Sequence, residues 1–299
     1  MIAYLKLVRL PNVFTAISNI VVGGVIATAV TGSLTWKTAL LALSSAALYM
    51  SGMAFNDFAD REEDAKFRPG RPIPSGKVSP AGAFLCGAML MLLGLACAFA
   101  VSLSSLYCAV SLAIVILLYD FGTAGIPVLG ALTLGGCRFF NVLLGLTAGL
   151  DWISARVFST DPLQVPLAPA IIMGLYASGV TAFSAQEEEG RDRKAGWIGW
   201  IFVDAALLVA FFATTGSFAI PILALIWTMI FYHSYRVRTQ GTPEAARNMI
   251  RTAVMAMPVL DAALIIGFAG TEKFLWALVC ISLLIPGMIV GKWLAQKEA

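Results

Sequence analysis

The sequence predicts an all-α membrane protein, a polytopic bundle of about nine to ten transmembrane helices. Of the 299 residues, 59% are hydrophobic and 12% are charged, and the mean hydropathy is +0.86. Soluble domains usually carry about 25% charged residues. Apolar stretches long enough to cross a bilayer also follow one another along most of the chain. These observations exclude an ordinary soluble fold and predict a single transmembrane domain over residues 1–299.

Ten apolar stretches are candidate spans, because a helix needs about 20 apolar residues to cross the hydrocarbon layer. They run over residues 12–31, 36–57, 81–101, 104–121, 125–149, 166–186, 197–215, 217–235, 252–269 and 273–291. Some neighbouring stretches are joined by very short connections, so the count stays at nine to ten. We expect the first stretch to remain in the protein as its first membrane helix.

Basic residues are distributed very unequally between the two sides of the predicted bundle. If all ten stretches cross, sixteen of the twenty Lys and Arg residues lie on one side. By the positive-inside rule that side is cytoplasmic, in an inner or plasma membrane. Both acidic clusters described below also lie on that side. We expect membrane lipids as partners and no nucleic acid.

An acidic cluster marks the end of the second span. Asn56, Asp60 and Asp64 are spaced by four residues, so a continuous helix would place them on one face with Asp57 beside them. A row of carboxylates is unfavourable unless a cation lies between them. A simple solvated helix end is the alternative, but a helix C-terminus favours Lys or Arg instead.

A second acidic cluster, residues 186–196, follows the sixth span and contains Glu188 and Asp192 four residues apart. Alone it would be interpreted as a solvated loop, but its pairing with the first cluster predicts a site. Hard oxygen ligands suit Mg²⁺ and a diphosphate partner. The predicted metal ligands are Asn56, Asp57, Asp60, Asp64, Glu188 and Asp192. The cations that could neutralise phosphate oxygens are Lys66, Arg68, Arg71, Arg191 and Lys194.

These motifs resemble a known family. NDFADREED, from Asn56 to Asp64, followed by RPIPSG, resembles the signature of the UbiA superfamily of intramembrane prenyltransferases. EEGRDRKAG resembles its second acidic motif, with Glu188 in place of the usual Asp, and RLPNVFT resembles the start of its first span. The resemblance implies Mg²⁺-dependent transfer of a prenyl group from a prenyl diphosphate to an aromatic or other lipophilic acceptor. It also implies catalytic roles for Asp60, Asp64, Asp192 and Tyr119, and substrate binding by Arg9 and Asn12.

The sequence departs from the family pattern in the fourth span. Many relatives have Tyr-x-x-x-Lys there, but Tyr119 is followed at the fourth position by Thr123. One expected diphosphate contact is therefore missing, and Asp120 suggests altered chemistry or a different acceptor preference. In the fifth span, GGCRFFNVLLG resembles a branch found with ebo-type gene clusters. Tyr119 and Phe139 are candidates for the aromatic wall that a positively charged prenyl fragment needs.

Several polar residues lie inside predicted spans. Arg138 and Asn141 are candidate substrate-binding residues, because an ionisable group within a membrane is a functional candidate by default. A structural pairing of Arg138 with Asp120 or Asn141 is an equal alternative. For Asp204 and Asp261 we expect hydrogen bonds that hold helices together.

Other functions remain compatible with the sequence. A secondary transporter would also have about ten helices with intramembrane charges, but it would place its coupling acids near the midplane. A second alternative keeps the fold and hydrolyses or cyclises a prenyl diphosphate. A third transfers the prenyl group to a non-aromatic acceptor such as a sugar, lipid or amine.

Overall fold

In the computed structural model, residues 1–28, 35–149, 167–188, 193–214, 218–240 and 242–296 are described. Within these ranges the regular structure is helical, with no strand. The first half contains α1 (Ile2–Leu7), a 3-10 turn (Leu10–Asn12), α2 (Val13–Thr28), α3 (Trp36–Ala59), α4 (Arg61–Phe67), α5 (Pro80–Val101) and α6 (Leu103–Leu118). Next come a π-helical turn (Tyr119–Thr123), α7 (Pro127–Leu146) and a 3-10 turn (Thr147–Gly149). The rest comprises α8 (Ala168–Glu188), α9 (Arg193–Ala213), α10 (Ala219–Gln240), α11 (Pro243–Ala269), a 3-10 turn (Thr271–Lys273), α12 (Phe274–Ser282) and α13 (Leu284–Gln296).

The predicted polytopic helical fold is confirmed. Eight helical segments among the described residues are long and apolar enough to cross a membrane. Two shorter apolar segments, Ala168–Phe183 and Trp197–Ala213, coincide with the sixth and seventh predicted stretches. The last predicted stretch consists of α12 and α13, which follow each other with a break at Leu283.

Local sequence signals explain where several helices begin. Proline occupies the start of α5, α7 and α11, a position where its missing N–H costs no hydrogen bond. Ser79 and Ser102 cap α5 and α6 by accepting hydrogen bonds from the backbone N–H groups of Gly82 and Ser105. Thr242 caps α11 in the same way. These caps fix the helix ends next to the polar loops.

The helices are arranged around α2. This helix contacts α3, α7 and α11, and its buried side chains belong to two apolar clusters. One cluster joins α2 to α7 and the later helices, and the other joins α2 to α3, α5, α6 and α7. The spans containing α2, α3 and α11 are the most buried, whereas α5, α10 and the final span expose most of their surface. Helix α2 therefore lies at the centre of the bundle.

Glycines allow the central helices to approach closely. A Cβ atom on Gly23 of α2 would lie 2.5 Å from the carbonyl oxygen of Val142 and 2.6 Å from the backbone nitrogen of Leu146. Gly145 of α7 faces the same contact, where its Cβ would lie 2.7 Å from the carbonyl oxygen of Ile20. Small residues let membrane helices gain van der Waals contact along their backbones.

We expect Gly23→Ala to destabilise the protein, although alanine normally favours a helix over glycine by about 1 kcal/mol. The added methyl group meets backbone atoms of α7 that cannot rotate away, and such overpacking costs about 1–3 kcal/mol. Thermal unfolding in detergent measures the change. Gly291→Ala in α13 is the matched control, because its nearest neighbour would be a side-chain atom of Pro11 at 3.7 Å. A Gly23 variant as stable as this control would contradict the close approach of α2 and α7.

Candidate active site

Arg9 connects the N-terminus to the first acidic cluster. It is the only non-glycine residue with a positive φ in the described part of the chain, at 46°. Left-handed backbone is unfavourable for a residue with a Cβ, by roughly 1–2 kcal/mol. Its guanidinium donates hydrogen bonds of 3.1 Å to Asn56 Oδ1 and 3.2 Å to Asp57 Oδ1. These interactions hold Arg9 in its unusual conformation and place its charge beside the cluster.

The first acidic cluster lies at the junction of α3 and α4. Helix α3 ends at Ala59, and Asp60 separates it from α4. Asp57 and Asp64 share Arg71, whose Nη1 lies 3.4 Å from Asp57 Oδ1 and 2.5 Å from Asp64 Oδ2. Asn56 instead donates a hydrogen bond of 3.1 Å to Asp60 Oδ2. Arginine side chains therefore contact Asn56, Asp57 and Asp64, whereas Asp60 accepts its hydrogen bond from the amide of Asn56.

The loop after α4 positions Arg71. Backbone hydrogen bonds fold it into consecutive turns, from Ser75 N to the Arg71 oxygen and from Val78 N to the Pro72 oxygen, each 3.0 Å. Gly76 has a φ of 72°, a conformation that glycine adopts without steric cost. Ile73 and Val78 anchor the loop in an apolar cluster with Leu7 of α1. Arg71 is thus held by a rigid turn.

Asp60 is the member of the cluster best suited to a cation. Burial raises its pKa, the Asp64 carboxylate raises it further, and the Arg71 charge opposes these effects. Its contact with Asn56 is a hydrogen bond from a neutral amide. The oxygens of Asn56 and Asp60 are hard donors of the kind that Mg²⁺ prefers, and Mg²⁺ sites often use one or two carboxylates plus substrate phosphates. The described residues contain no group of three or more His, Cys, Asp or Glu side chains placed to hold a metal.

Residues of the second acidic cluster can be placed only in part. Arg191 and Asp192 lie outside the described residues. Glu188 ends α8 and Lys194 lies in the first turn of α9, where the backbone is described. The two helices that flank the cluster in the sequence pack against each other.

An inner cavity of about 350 Å³ lies between α2, α3, α6, α7, α8 and α11. Arg9, Asn12, Tyr119, Arg138 and Asn141 line it, five of the residues that the sequence analysis selected. The apolar part of its wall includes side chains of Leu112, Ile116, Val180, Val254 and Met257. Because Arg9 also contacts Asp57, the cavity and the first acidic cluster form one continuous site.

A buried hydrogen-bond network lies beside the inner cavity and includes its lining residues Arg138 and Asn141. Asn19 of α2 donates to both carboxylate oxygens of Asp261, at 3.1 and 2.9 Å, and its own oxygen accepts a 3.1 Å hydrogen bond from Arg138. Ser18 donates a further 2.5 Å bond to Asp261. Asn141 donates to the Ala16 oxygen at 2.9 Å. The network joins α2, α7 and α11.

Arg138 does not pair with Asp120 or Asn141 in the way that the structural alternative predicted. It donates hydrogen bonds to Asn19 and to Thr15 Oγ1, the latter at 2.9 Å, and lies 5.9 Å from the ring centre of Tyr49. These partners are all uncharged. The amide of Asn19 links Arg138 to the Asp261 carboxylate, because it bonds to both side chains.

The remaining predictions have mixed outcomes. Phe139 does not line the inner cavity; it packs against an apolar cluster and the neighbouring Phe140 ring, so its assignment as a cavity wall was wrong. Lys66 is exposed on α4, and Arg68 lies 3.6 Å from Asp64. Asp204 accepts a 3.0 Å hydrogen bond from Trp227, and Asp261 is bonded to α2, so the predicted helix-packing bonds are confirmed.

Sequence reasoning missed part of the site. Ser18, Asn19, Ser45 and Tyr49 were not selected, although Ser45 donates a 2.7 Å bond to Asn141 and also lines the cavity. A usable signal is present in α2, where Thr15, Ser18 and Asn19 recur at helical spacing in an apolar span. Such a polar stripe indicates a helix face that bonds to other helices.

Comparison with known proteins identifies the relatives of the chain. The model of the UbiA prenyltransferase family matches residues 16–249. A digeranylgeranylglyceryl phosphate synthase of Methanothrix thermoacetophila is 34% identical over 204 residues, 68% of this chain and 68% of that protein. Another such synthase, from Methanopyrus kandleri, is 34% identical over 147 residues. This match covers 48% of the present chain and about half, 53%, of that relative. These relatives do not support the ebo-type branch.

Solved structures have the same fold. A UbiA homologue from Aeropyrum pernix K1 matches with a TM-score of 0.66 and 18% identity, over 85% of this chain and 97% of the other. A UbiA homologue from Archaeoglobus fulgidus bound to GPP and Mg²⁺ matches with a TM-score of 0.52 and 15% identity, over 95% and 99% of the two chains.

We expect Asp261→Asn to destabilise the protein by about 1–3 kcal/mol, the cost of leaving buried polar groups unsatisfied. The new NH₂ group would face the donors of Ser18 and Asn19, and Arg138 would lose its only relayed counter-charge. Thermal unfolding in detergent measures the effect. Asp204→Asn is the control, because its remaining oxygen can keep the single bond from Trp227. Equal small effects in both variants would show that the network contributes little.

Proposed function

Because the chain belongs to the UbiA prenyltransferase family, we propose that it transfers a prenyl group from a prenyl diphosphate to an acceptor in the membrane. The proposed reaction depends on Mg²⁺, and residues 1–299 act as one domain. We place both acidic clusters on the cytoplasmic side, since most basic residues lie there. The prenyl chain can then stay in lipid while its diphosphate reaches the clusters, because each CH₂ kept from water contributes about 0.8 kcal/mol.

The observation that carries this proposal is the position of Arg9 between the first acidic cluster and the inner cavity. Its guanidinium contacts Asn56 and Asp57 and also lines the cavity. A diphosphate at the cluster would therefore meet a cation at the point where the cavity begins. The cavity offers space for the reacting end of the prenyl group and an acceptor, enclosed by apolar side chains that exclude water.

The residues at the cluster suit the separation of diphosphate from a prenyl group. Asn56 and Asp60, with Glu188 and Asp192, are the proposed ligands of Mg²⁺, and Asp57 and Asp64 hold Arg9 and Arg71 in place. When bound, Mg²⁺ would supply positive charge that stabilises the departing diphosphate. Arg9 and Arg71 add donors for phosphate oxygens. Tyr119 presents its ring to the cavity, where an aromatic face stabilises positive charge on the prenyl carbon.

Relatives suggest the chemical class of the acceptor. Those reported above are named for digeranylgeranylglyceryl phosphate, a glyceryl phosphate that carries two prenyl groups. Before the second transfer, such an acceptor has one prenyl group, one phosphate and one free hydroxyl. We propose this class, and not an aromatic ring, for the present chain. Arg138 supports the choice, since it is a cavity cation whose direct partners are uncharged.

The transporter alternative is less consistent with this arrangement. A coupling acid at the midplane would need to change partners during transport. Asp261 instead accepts bonds from two side chains of α2, and its residue is fully buried. Such a carboxylate is better suited to hold helices together.

We expect Asp60→Ala to weaken Mg²⁺-dependent binding of geranylgeranyl diphosphate by more than about tenfold, because it removes a charged ligand that no neighbour replaces. Binding to purified protein in detergent, with and without Mg²⁺, measures this. Glu62→Ala is the matched control, because the Glu62 side chain lies two residues away and is 83% exposed. Failure of the wild type to bind prenyl diphosphates of any length would refute the proposed function; normal binding by the Asp60 variant would refute its site.

We expect Arg138→Gln to weaken binding of geranylgeranylglyceryl phosphate by about tenfold or more, because the substitution removes the charge that faces the acceptor phosphate. Binding of geranylgeranyl diphosphate should stay within about twofold, since the diphosphate is bound at the acidic cluster instead. Arg236→Gln is the control, because this partly exposed arginine on α10 bonds Gln240 and does not line the inner cavity. An equal loss for both ligands would contradict a separate acceptor site.

A further inference from the structure

Asp120 lies where the inner cavity meets a second, outer cavity. The inner cavity contains Tyr119, Asp120 and Arg138, and the outer one contains Asp60, Asp120 and Phe121. Asp120 is therefore the carboxylate that the two spaces share, between the proposed diphosphate site and the proposed acceptor site. The reacting carbon of a prenyl diphosphate bound near Asp60 would have to meet its acceptor in this region.

The Asp120 carboxylate is buried without a partner for one of its oxygens. The residue is only 6% exposed, and Oδ2 has no hydrogen-bond partner among the described residues. Leaving a buried polar atom unsatisfied costs about 1–3 kcal/mol, more when the group is charged. By contrast, Asp57, Asp64, Asp204 and Asp261 all have donors in their own surroundings. A ligand that brings a hydrogen-bond donor would remove the deficit at Asp120.

Local backbone geometry places the carboxylate at this junction. Residues 119–123 form a π-helical turn, closed by a 3.0 Å hydrogen bond from Ala124 N to the Tyr119 oxygen. The extra residue in such a turn rotates the side chains that follow α6, and π-helical turns are frequent at functional sites. Gly52 of α3 lies opposite this carboxylate, since a Cβ atom there would be 3.9 Å from Asp120 Oδ2.

We propose that Asp120 binds the free hydroxyl of a glyceryl phosphate acceptor through its unpartnered oxygen. This inference rests on the proposed function and adds a residue that recognises the nucleophile. The hydroxyl donates its hydrogen bond to Asp120 while the acceptor phosphate lies toward Arg138. An acceptor without a hydrogen-bond donor at that position would leave the carboxylate unsatisfied, so Asp120 selects protic acceptors.

The transfer step is then balanced at named atoms. The hydroxyl oxygen of the acceptor forms a bond to C1 of the prenyl group, and the bond from C1 to the diphosphate oxygen breaks. The diphosphate leaves with that electron pair. The hydroxyl proton passes to the carboxylate of Asp120, which lies on the acceptor side of the reacting carbon. The product is an ether of the glyceryl phosphate.

The experiment compares two acceptors on four proteins. The probes are geranylgeranylglyceryl phosphate and its deoxy analogue, in which hydrogen replaces the free hydroxyl. Their dissociation constants are measured in detergent without prenyl diphosphate, so that no turnover occurs. The proteins are the wild type, Asp120→Ala, the similarly sized Asp120→Asn, and Asp204→Ala as a control with a carboxylate removed from another span.

We expect the wild type to bind the hydroxyl probe about tenfold to hundredfold more tightly than the deoxy probe, the range for a hydrogen bond to a charged group. The Asp204 control should keep this ratio. In Asp120→Ala the ratio should fall to about one, while Mg²⁺-dependent binding of geranylgeranyl diphosphate persists. In Asp120→Asn the ratio should fall between those of the wild type and the alanine variant.

Three results would overturn the assignment. The first is a wild-type protein that binds the hydroxyl and deoxy probes equally tightly, or binds neither. This result can be interpreted without any variant. The second is an unchanged ratio in both Asp120 variants. The third is loss of prenyl diphosphate binding in Asp120→Ala, which would assign Asp120 to the diphosphate site. Wild-type binding of geranylgeranyl diphosphate, measured in parallel, tests the proposed function separately.

Discussion

Asn19 bonds to Arg138 of α7 through its oxygen and to Asp261 of α11 through its amide nitrogen, and the centre of the bundle depends on this arrangement. Inside a membrane no water is available to satisfy polar groups, so each of them must find its partner in protein. The amide of Asn19 can accept from the arginine through its oxygen and donate to the carboxylate through its nitrogen at the same time. The network thereby holds α7 and α11 against α2 and keeps Arg138 at the cavity.

Charge is arranged differently at the entrance of the site. Arginines from the N-terminal turn and from the loop after α4 hold Asp57 and Asp64, so those carboxylates are already neutralised by protein. Asp60 interacts with a neutral amide, and Asp120 retains an oxygen without a partner. The two carboxylates that can still bind a ligand, Asp60 and Asp120, therefore lie along one path from the acidic cluster into the cavity. Ligands complete the polar interactions that the fold leaves open.

Much of the fold could be predicted because the bilayer sets the length and polarity of each span. The ten apolar stretches correspond to the helical segments observed. The arginine partners of Asp57 and Asp64 could not be predicted, because spacing along one helix does not show which cations approach from other segments. Arg71 reaches Asp64 from the loop after α4. The prediction for Phe139 was wrong because an aromatic residue in a span does not reveal which neighbour it faces.

The sequence by itself determined the class of protein, the spans and the residue types that meet a diphosphate, because composition and spacing depend on local chemistry. Tertiary structure decided which of those residues act together. Arg138 bonds Asn19, which is 119 positions away in the chain, and Asp120 reaches a junction formed by helices distant in sequence. Such pairings depend on how helices rotate and approach, through contacts such as Gly23 against α7. No local pattern specifies them, because each helix could present a different face to its neighbours until all are packed.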